Sequence, residues 1–274
     1  MALLPELAET AASGEKARIY AEMRRLGAVP MVALIFRHLA TLPGGIEWAW
    51  SAIGPAWSSG LLQETAWKIA REAPLEPIAP MPREALAALG VDDKALDEIR
   101  IVARAYNLAN PVNLLTITCL ARMLGGAKAS ASLEARAWTP PPTPGPLVAM
   151  TDPAAMSPEV SALLDLVAAP GGANGPRVVQ SLYRHFGHRP QFLALLVTVL
   201  LPRFRDGSID RSVLAIRASM DRAADAIVPT LTAPAAPDPG IATAFERFRF
   251  VIPQMIVVGA LLEEALSPSA PAPR

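Results

Sequence analysis

Apolar residues recur along this chain at spacings of three and four, the repeat of one face of an α-helix. In KALDEIRIVARAYNLA (94–109), Leu96, Ile99, Val102, Ala103 and Tyr106 form one stripe. Asp92 and Asp93 stand just ahead of it, where a first turn favours acceptors and negative charge. Alternating, β-branched patterns bounded by turns are missing, so the pattern predicts an all-α protein. Three stretches are apolar almost all round: LANPVNLLTITCLARML (108–124), ALLVTVLLPRF (194–204) and RFRFVIPQMIVVGALL (247–262). A long apolar run, 251–262, is bracketed by Arg249 and Glu263–Glu264. It falls short of the roughly 18–20 residues of a membrane span. A buried helix is expected there, and no membrane partner.

The same helix pattern is written twice. EMRRLGAVPMVALIFRHLATLP (22–43) resembles SLYRHFGHRPQFLALLVTVLLP (181–202), pairing Gly27 with Gly187 and Pro30 with Pro190 at an offset of 160. AYNLANPVNLLTITCLARML (105–124) resembles RFRFVIPQMIVVGALLEEAL (247–266), pairing Tyr106 with Phe248 and Pro111 with Pro253 at an offset of 142. Matches in the same order predict an internal duplication. Between them, residues 127–156 hold many of the 28 prolines. Proline removes a backbone donor and disfavours helix in the residue before it, so an extended connector is expected. Trp138, Leu147 and Val148 should lean it on the protein surface. The organisation expected is a first helical pseudo-repeat (1–126), a Pro-rich linker (127–156) and a second pseudo-repeat (157–274) ending in a frayed tail. A ligand site belongs at the seam between the halves.

Composition narrows the function classes. At 274 residues, 52% hydrophobic and 18% charged, the chain has ample apolar mass for a large core. The 25 basic and 25 acidic residues cancel, and no basic stripe of the kind that neutralises phosphates is present, so nucleic acid is not an expected partner. Cys119 is the lone cysteine, so no internal disulfide can form and a reducing compartment fits. With no basic n-region and no long apolar h-region at the start, a cytoplasmic location is expected.

Residues that titrate or attack are scarce in apolar settings. His38, His185 and His188 offer no metal-ligand spacing, and no metal site is expected. His185 and His188, beside a Gly–Pro break, should be solvated at a helix end. Nucleophile-elbow, dinucleotide and phosphate-loop motifs are missing; the Gly pairs 44–45 and 171–172 read as turns. Cys119, among Ile117, Leu120 and Met123, reads as core. YNLANPVNLLT stands out, because Asn107, Asn110 and Asn113 lean toward one side of a helix. Pro111 should break the helix there, with Asn110 capping. Asn113 then has no capping role and should face a cavity. Trp48, Trp50, Trp57 and Trp67 crowd one section, as core or as an interface.

VPMVALIFRHLATLPGGIEWAW (29–50), the duplicated all-α layout and the NPVN … IPQM pair resemble the group I 2-haloacid dehalogenases, the DehI family. A more distant likeness is to the alkylhydroperoxidase D superfamily, whose thiols are absent around Asn107, Asn110 and Leu114. The first resemblance implies a homodimer that hydrolyses 2-haloalkanoic acids with inversion and no cofactor. It implies an aspartate of the second half activating water and an asparagine of the first half positioning it. By pattern the asparagine falls on Asn113, and the apolar wall near Ala33, Phe36, Thr116 and Ile117, with Ile252 or Ile256. By the offset of 160 the aspartate position falls nearest Leu193 or Ala194, yet no acid stands between Gln191 and Pro202. The expectation is therefore a family homologue that keeps a pocket for a small organic acid or apolar molecule but lacks the standard base. One alternative is an active dehalogenase with its base elsewhere, such as Asp206. Another is a non-enzymatic oligomerisation module.

Overall fold

The computed structural model describes residues 5–127, 129–134, 136–169, 177–232 and 234–267. The 171–172 glycine pair and the tail past Ser267 lie outside them. Among the described residues the chain is all-α, with one isolated β-bridge between Ala169 and Val178. No described helix is long and apolar enough to cross a membrane.

Two long helices make the centre: α6 (Asp93–Leu124) and α11 (Gly240–Ala265) pack along one another. The Asp92 carboxylate accepts from Ala95 N at 2.8 Å and starts α6. Both helices run through an internal proline, Pro111 and Pro253. The expected break at Pro111 is therefore not present, and Asn110 is no cap. A proline in mid-helix deletes one i→i−4 bond. Here both faces of each helix are buried among apolar neighbours, and that packing holds the helix together across the lost bond. Asn107 is turned toward α11, where its Nδ2 donates to Gly259 O (3.1 Å) and Glu263 Oε2 (2.6 Å).

Around this pair stand α1 (Gly14–Gly27), α2 (Leu34–Leu39), α3 (Gly45–Ser58), α4 (Leu61–Arg71) and α5 (Arg83–Ala88) from the first part of the chain. From the second part come α7 (Pro158–Val167), α8 (Ser181–Arg184), α9 (Pro190–Arg205) and α10 (Ser208–Ile227). Between α6 and α7 the described residues are non-helical apart from one short 3-10 turn, Pro153–Ala155. Trp138 of this stretch tilts against Trp67 at 6.2 Å between ring centroids.

The offset of 160 pairs the six-residue α2 with the sixteen-residue α9, which are not alike. An offset of 147 aligns more. It pairs Phe36-Arg37-His38 with Tyr183-Arg184-His185, Pro55 inside α3 with Pro202 inside α9, and Gly60 with Gly207. Gly60 and Gly207 both precede a helix at φ 73°. They differ in surroundings. A Cβ on Gly60 would lie 2.3 Å from the Trp138 ring, whereas one on Gly207 would meet nothing nearer than 3.6 Å. Left-handed backbone alone costs a side chain about 1–2 kcal/mol. Gly60→Ala should therefore lower the denaturation midpoint clearly more than Gly207→Ala, read by urea titration followed by circular dichroism.

Candidate functional site

A cavity of about 300 Å³ opens where α2, α6, α11, the connector and the chain leading into α8 meet. Its lining residues fall in pairs. At the 142 offset, Tyr106, Asn110 and Asn113 of α6 match Phe248, Ile252 and Met255 of α11, and all six line it. At the 147 offset, Ala33, Leu34 and Arg37 match Gln180, Ser181 and Arg184, and again all six line it. Since α6 packs on α8 and α11 packs on α2, the matched walls are not equal. The end between α6 and the 180–184 segment carries the polar groups. The end between α11 and α2 is apolar except for Arg37 and Arg247.

Arg37, Arg184 and Arg247 all line the cavity. The Arg37 guanidinium donates to Glu6 Oε2 (3.0 Å) and Val32 O (3.0 Å). Arg184 Nε donates to Thr151 O at 3.1 Å. Glu6, held by Arg37, is the one acid among the described lining residues. Gln180 is buried with neither amide atom hydrogen-bonded, and Asn110 Nδ2 is likewise unpartnered. An unsatisfied buried amide costs about 1–3 kcal/mol, which a polar occupant would offset.

His185 is buried, contrary to the solvated position expected. Its Nδ1 lies 2.6 Å from Val148 O, and its Nε2 lies 3.2 Å from the Tyr106 hydroxyl. The connector folds over the ring, so the Gly–Pro break after it does not open it to water. Burial lowers its pKa, and burial pushes the Tyr106 phenol up to about 12. His188 is exposed, and its Nε2 donates to Ala149 O at 3.0 Å.

Of the residues singled out from the sequence, Asn113, Ala33 and Ile252 line the cavity. Phe36, Thr116, Ile117 and Ile256 are buried in the core and are not part of the lining. Leu193 is fully buried on α9, and Ala194 is part-exposed on the same helix; neither reaches the cavity. The 160 and 147 offsets differ by 13 residues, almost four turns of helix. The segment facing α6 is 178–184 instead. Asp206 is not a candidate base. It is an exposed residue at the end of α9, its carboxylate accepts from Ser208 N at 2.8 Å, and bonding to Ser208 and Arg203 holds its pKa below the ordinary range. Cys119 is buried, and burial pushes its thiol up to about 12. No cluster of metal-ligating side chains occurs among the described residues. Arg37, Arg184 and Gln180 were missed, although the repeated FRH and YRH triplets in FRHLA and YRHFG pair the two arginines.

No family model matches the chain. A configuration-inverting 2-haloacid dehalogenase of Alcaligenes xylosoxydans xylosoxydans is 35% identical over 204 residues, 71% of this chain and 64% of that protein. The match thus spans just under two thirds of that relative's length. The solved complex of a D-2-haloacid dehalogenase with L-LA has the same fold, with a TM-score of 0.74, 17% identity and 97% of each chain covered. A mutant D-2-haloacid dehalogenase with D-2-CPA superposes at a TM-score of 0.67 and 19% identity, over 97% of this chain and 94% of that one.

Proposed function

We propose that the chain is a member of the family of the configuration-inverting 2-haloacid dehalogenases, to one of which it is similar, and that its cavity binds a small 2-substituted carboxylate without hydrolysing the carbon–halogen bond through an acidic base. The reading is supported by one observation above all: from Asp165 to Asp206 the chain has no acidic residue, so none stands in the 178–184 segment that faces α6. It does not depend on the register chosen for the second half. The paired lining supports a cavity lying between two halves of a duplicated chain.

Recognition of a carboxylate is well supplied. Guanidinium groups bind carboxylates through paired, charge-assisted hydrogen bonds. Arginines outnumber acids in the lining three to one, and that one acid already has an arginine partner. Catalysis is not supplied in the same way. Water attacking C2 needs a base within about 2.6–3.2 Å of its proton. Asn110, Asn113 and Gln180 carry amides, which do not accept a proton at neutral pH. Loss of a positioned base costs a factor of about 10²–10⁴.

The test is a pair of measurements on the purified protein. Calorimetric titration with 2-chloropropionate should show heat of binding that is lost in Arg184→Ala. A halide-sensitive assay under the same conditions should show little or no release. Halide release at enzymatic rates sinks the non-hydrolytic reading, and the absence of binding sinks the carboxylate reading.

A further inference from the structure

From the hydrogen bonds around His185 we infer that the cavity selects 2-hydroxyalkanoates with an alkyl tail over the corresponding 2-haloalkanoates; the inference rests on the carboxylate-binding reading and narrows it. A carbonyl oxygen only accepts, so the 2.6 Å contact to Val148 O places the proton of His185 on Nδ1. The neutral ring then leaves Nε2 bare, and the Tyr106 hydroxyl at 3.2 Å has to donate to it. With its only proton engaged, the phenol oxygen can do nothing but accept. Tyr106 lines the cavity at its polar end, and the Ser181 hydroxyl beside it donates to the phenol oxygen, which keeps a second lone pair for a ligand. A ligand hydroxyl supplies the donor that oxygen can take. A halogen at the same carbon supplies none, and it turns a partial negative charge toward a lone pair.

The rest of the cavity fixes the remainder of the ligand. Its opposite end presents Phe248, Ile252 and Met255 where α6 presents a phenol and two amides. A three-carbon acid held at the polar end leaves that apolar wall uncovered within a cavity of about 300 Å³. An alkyl chain running toward α11 buries it. The occupant is thus an anion at Arg184, with a hydroxyl at Tyr106 and a tail along α11.

The experiment compares 2-hydroxyhexanoate with 2-bromohexanoate, and 2-hydroxyhexanoate with lactate, by isothermal titration calorimetry on the full chain. The hydroxy acid should bind at least tenfold more tightly than the bromo acid, and also more tightly than lactate. Tyr106→Phe, checked for an unchanged melting profile, should bring the hydroxy and bromo affinities within twofold of each other. Ile252→Asn should erase the gain from lactate to hydroxyhexanoate while the hydroxyl preference survives. If none of the three acids binds, the carboxylate reading fails and this inference goes with it. If hydroxy and bromo acids bind alike in the unmodified protein, or Tyr106→Phe leaves their ratio unchanged, this inference alone is overturned.

Discussion

Gln180→Glu should turn this protein into a measurable dehalogenase, raising halide release from 2-chloropropionate by a factor on the order of 10² or more. The substitution keeps the outline of the side chain and exchanges an amide for a group that can accept a proton. It does so at a lining position on the polar end of the cavity, where neither amide atom of Gln180 has a partner to lose. Burial disfavours the charged form of a carboxyl, so its pKa should lie above the ordinary value of about 4.3, with Arg184 moderating the rise. The new activity should therefore increase with pH as this carboxyl ionises. Stability should move the other way: the folded state binds the proton more tightly than the unfolded one, so stability falls between the unfolded and the folded pKa and levels off above the latter. Ala194→Asp is the control, because Ala194 lies on α9 outside the cavity, and it should release no halide. A folded Gln180→Glu protein that releases no halide would mean that more than a base is missing.

The all-α class and the paired long helices were legible because they depend on apolar spacing, and spacing survives in a single sequence. The prolines were harder. Pro111 and Pro253 mark matching points, but whether a proline ends a helix or rides inside it is decided by burial on all sides, which is a tertiary fact. The register of the second half was misplaced for a related reason. Glycine and proline are punctuation that recurs in many loops, so Gly27–Pro30 and Gly187–Pro190 can be aligned without being equivalent. Arg37-His38 and Arg184-His185 are rarer side chains, and the two arginines both line one cavity. The greasy face of α11 also takes its meaning from that cavity: it is the apolar counterpart of the Asn110 and Asn113 wall. His185 shows the limit most clearly, since a connector residue 37 positions away removes it from solvent.

The tryptophan-rich section offers the second large effect, now in stability. Read from the sequence, it could serve as an oligomerisation surface. In the structure its indoles hold the chain to itself: Trp48 Nε1 donates to Pro234 O (2.9 Å), Trp67 Nε1 to Leu108 O (2.9 Å) and Trp57 Nε1 to Thr116 Oγ1 (3.1 Å). Trp57 is the deepest of them. It is 3% exposed and meets Phe36 edge-on at 6.2 Å and Trp50 at 5.9 Å. Its partner Thr116 sits on α6 one turn past Asn113, on the core side of the same helix. Trp57→Ala removes the largest side chain in that layer and leaves the Thr116 hydroxyl buried without its donor. Deleting a large buried aromatic costs about 3–5 kcal/mol, so thermal unfolding should shift strongly downward. Trp57→Phe should recover most of the packing and leave the hydroxyl unpaired, a residual cost of about 1–3 kcal/mol. Combining Trp57→Phe with Thr116→Val removes both halves of the hydrogen bond, and the double variant should be more stable than the sum of the singles predicts. Strict additivity would show that the Trp57–Thr116 contact holds nothing, and that α3 is fixed to α6 by shape alone.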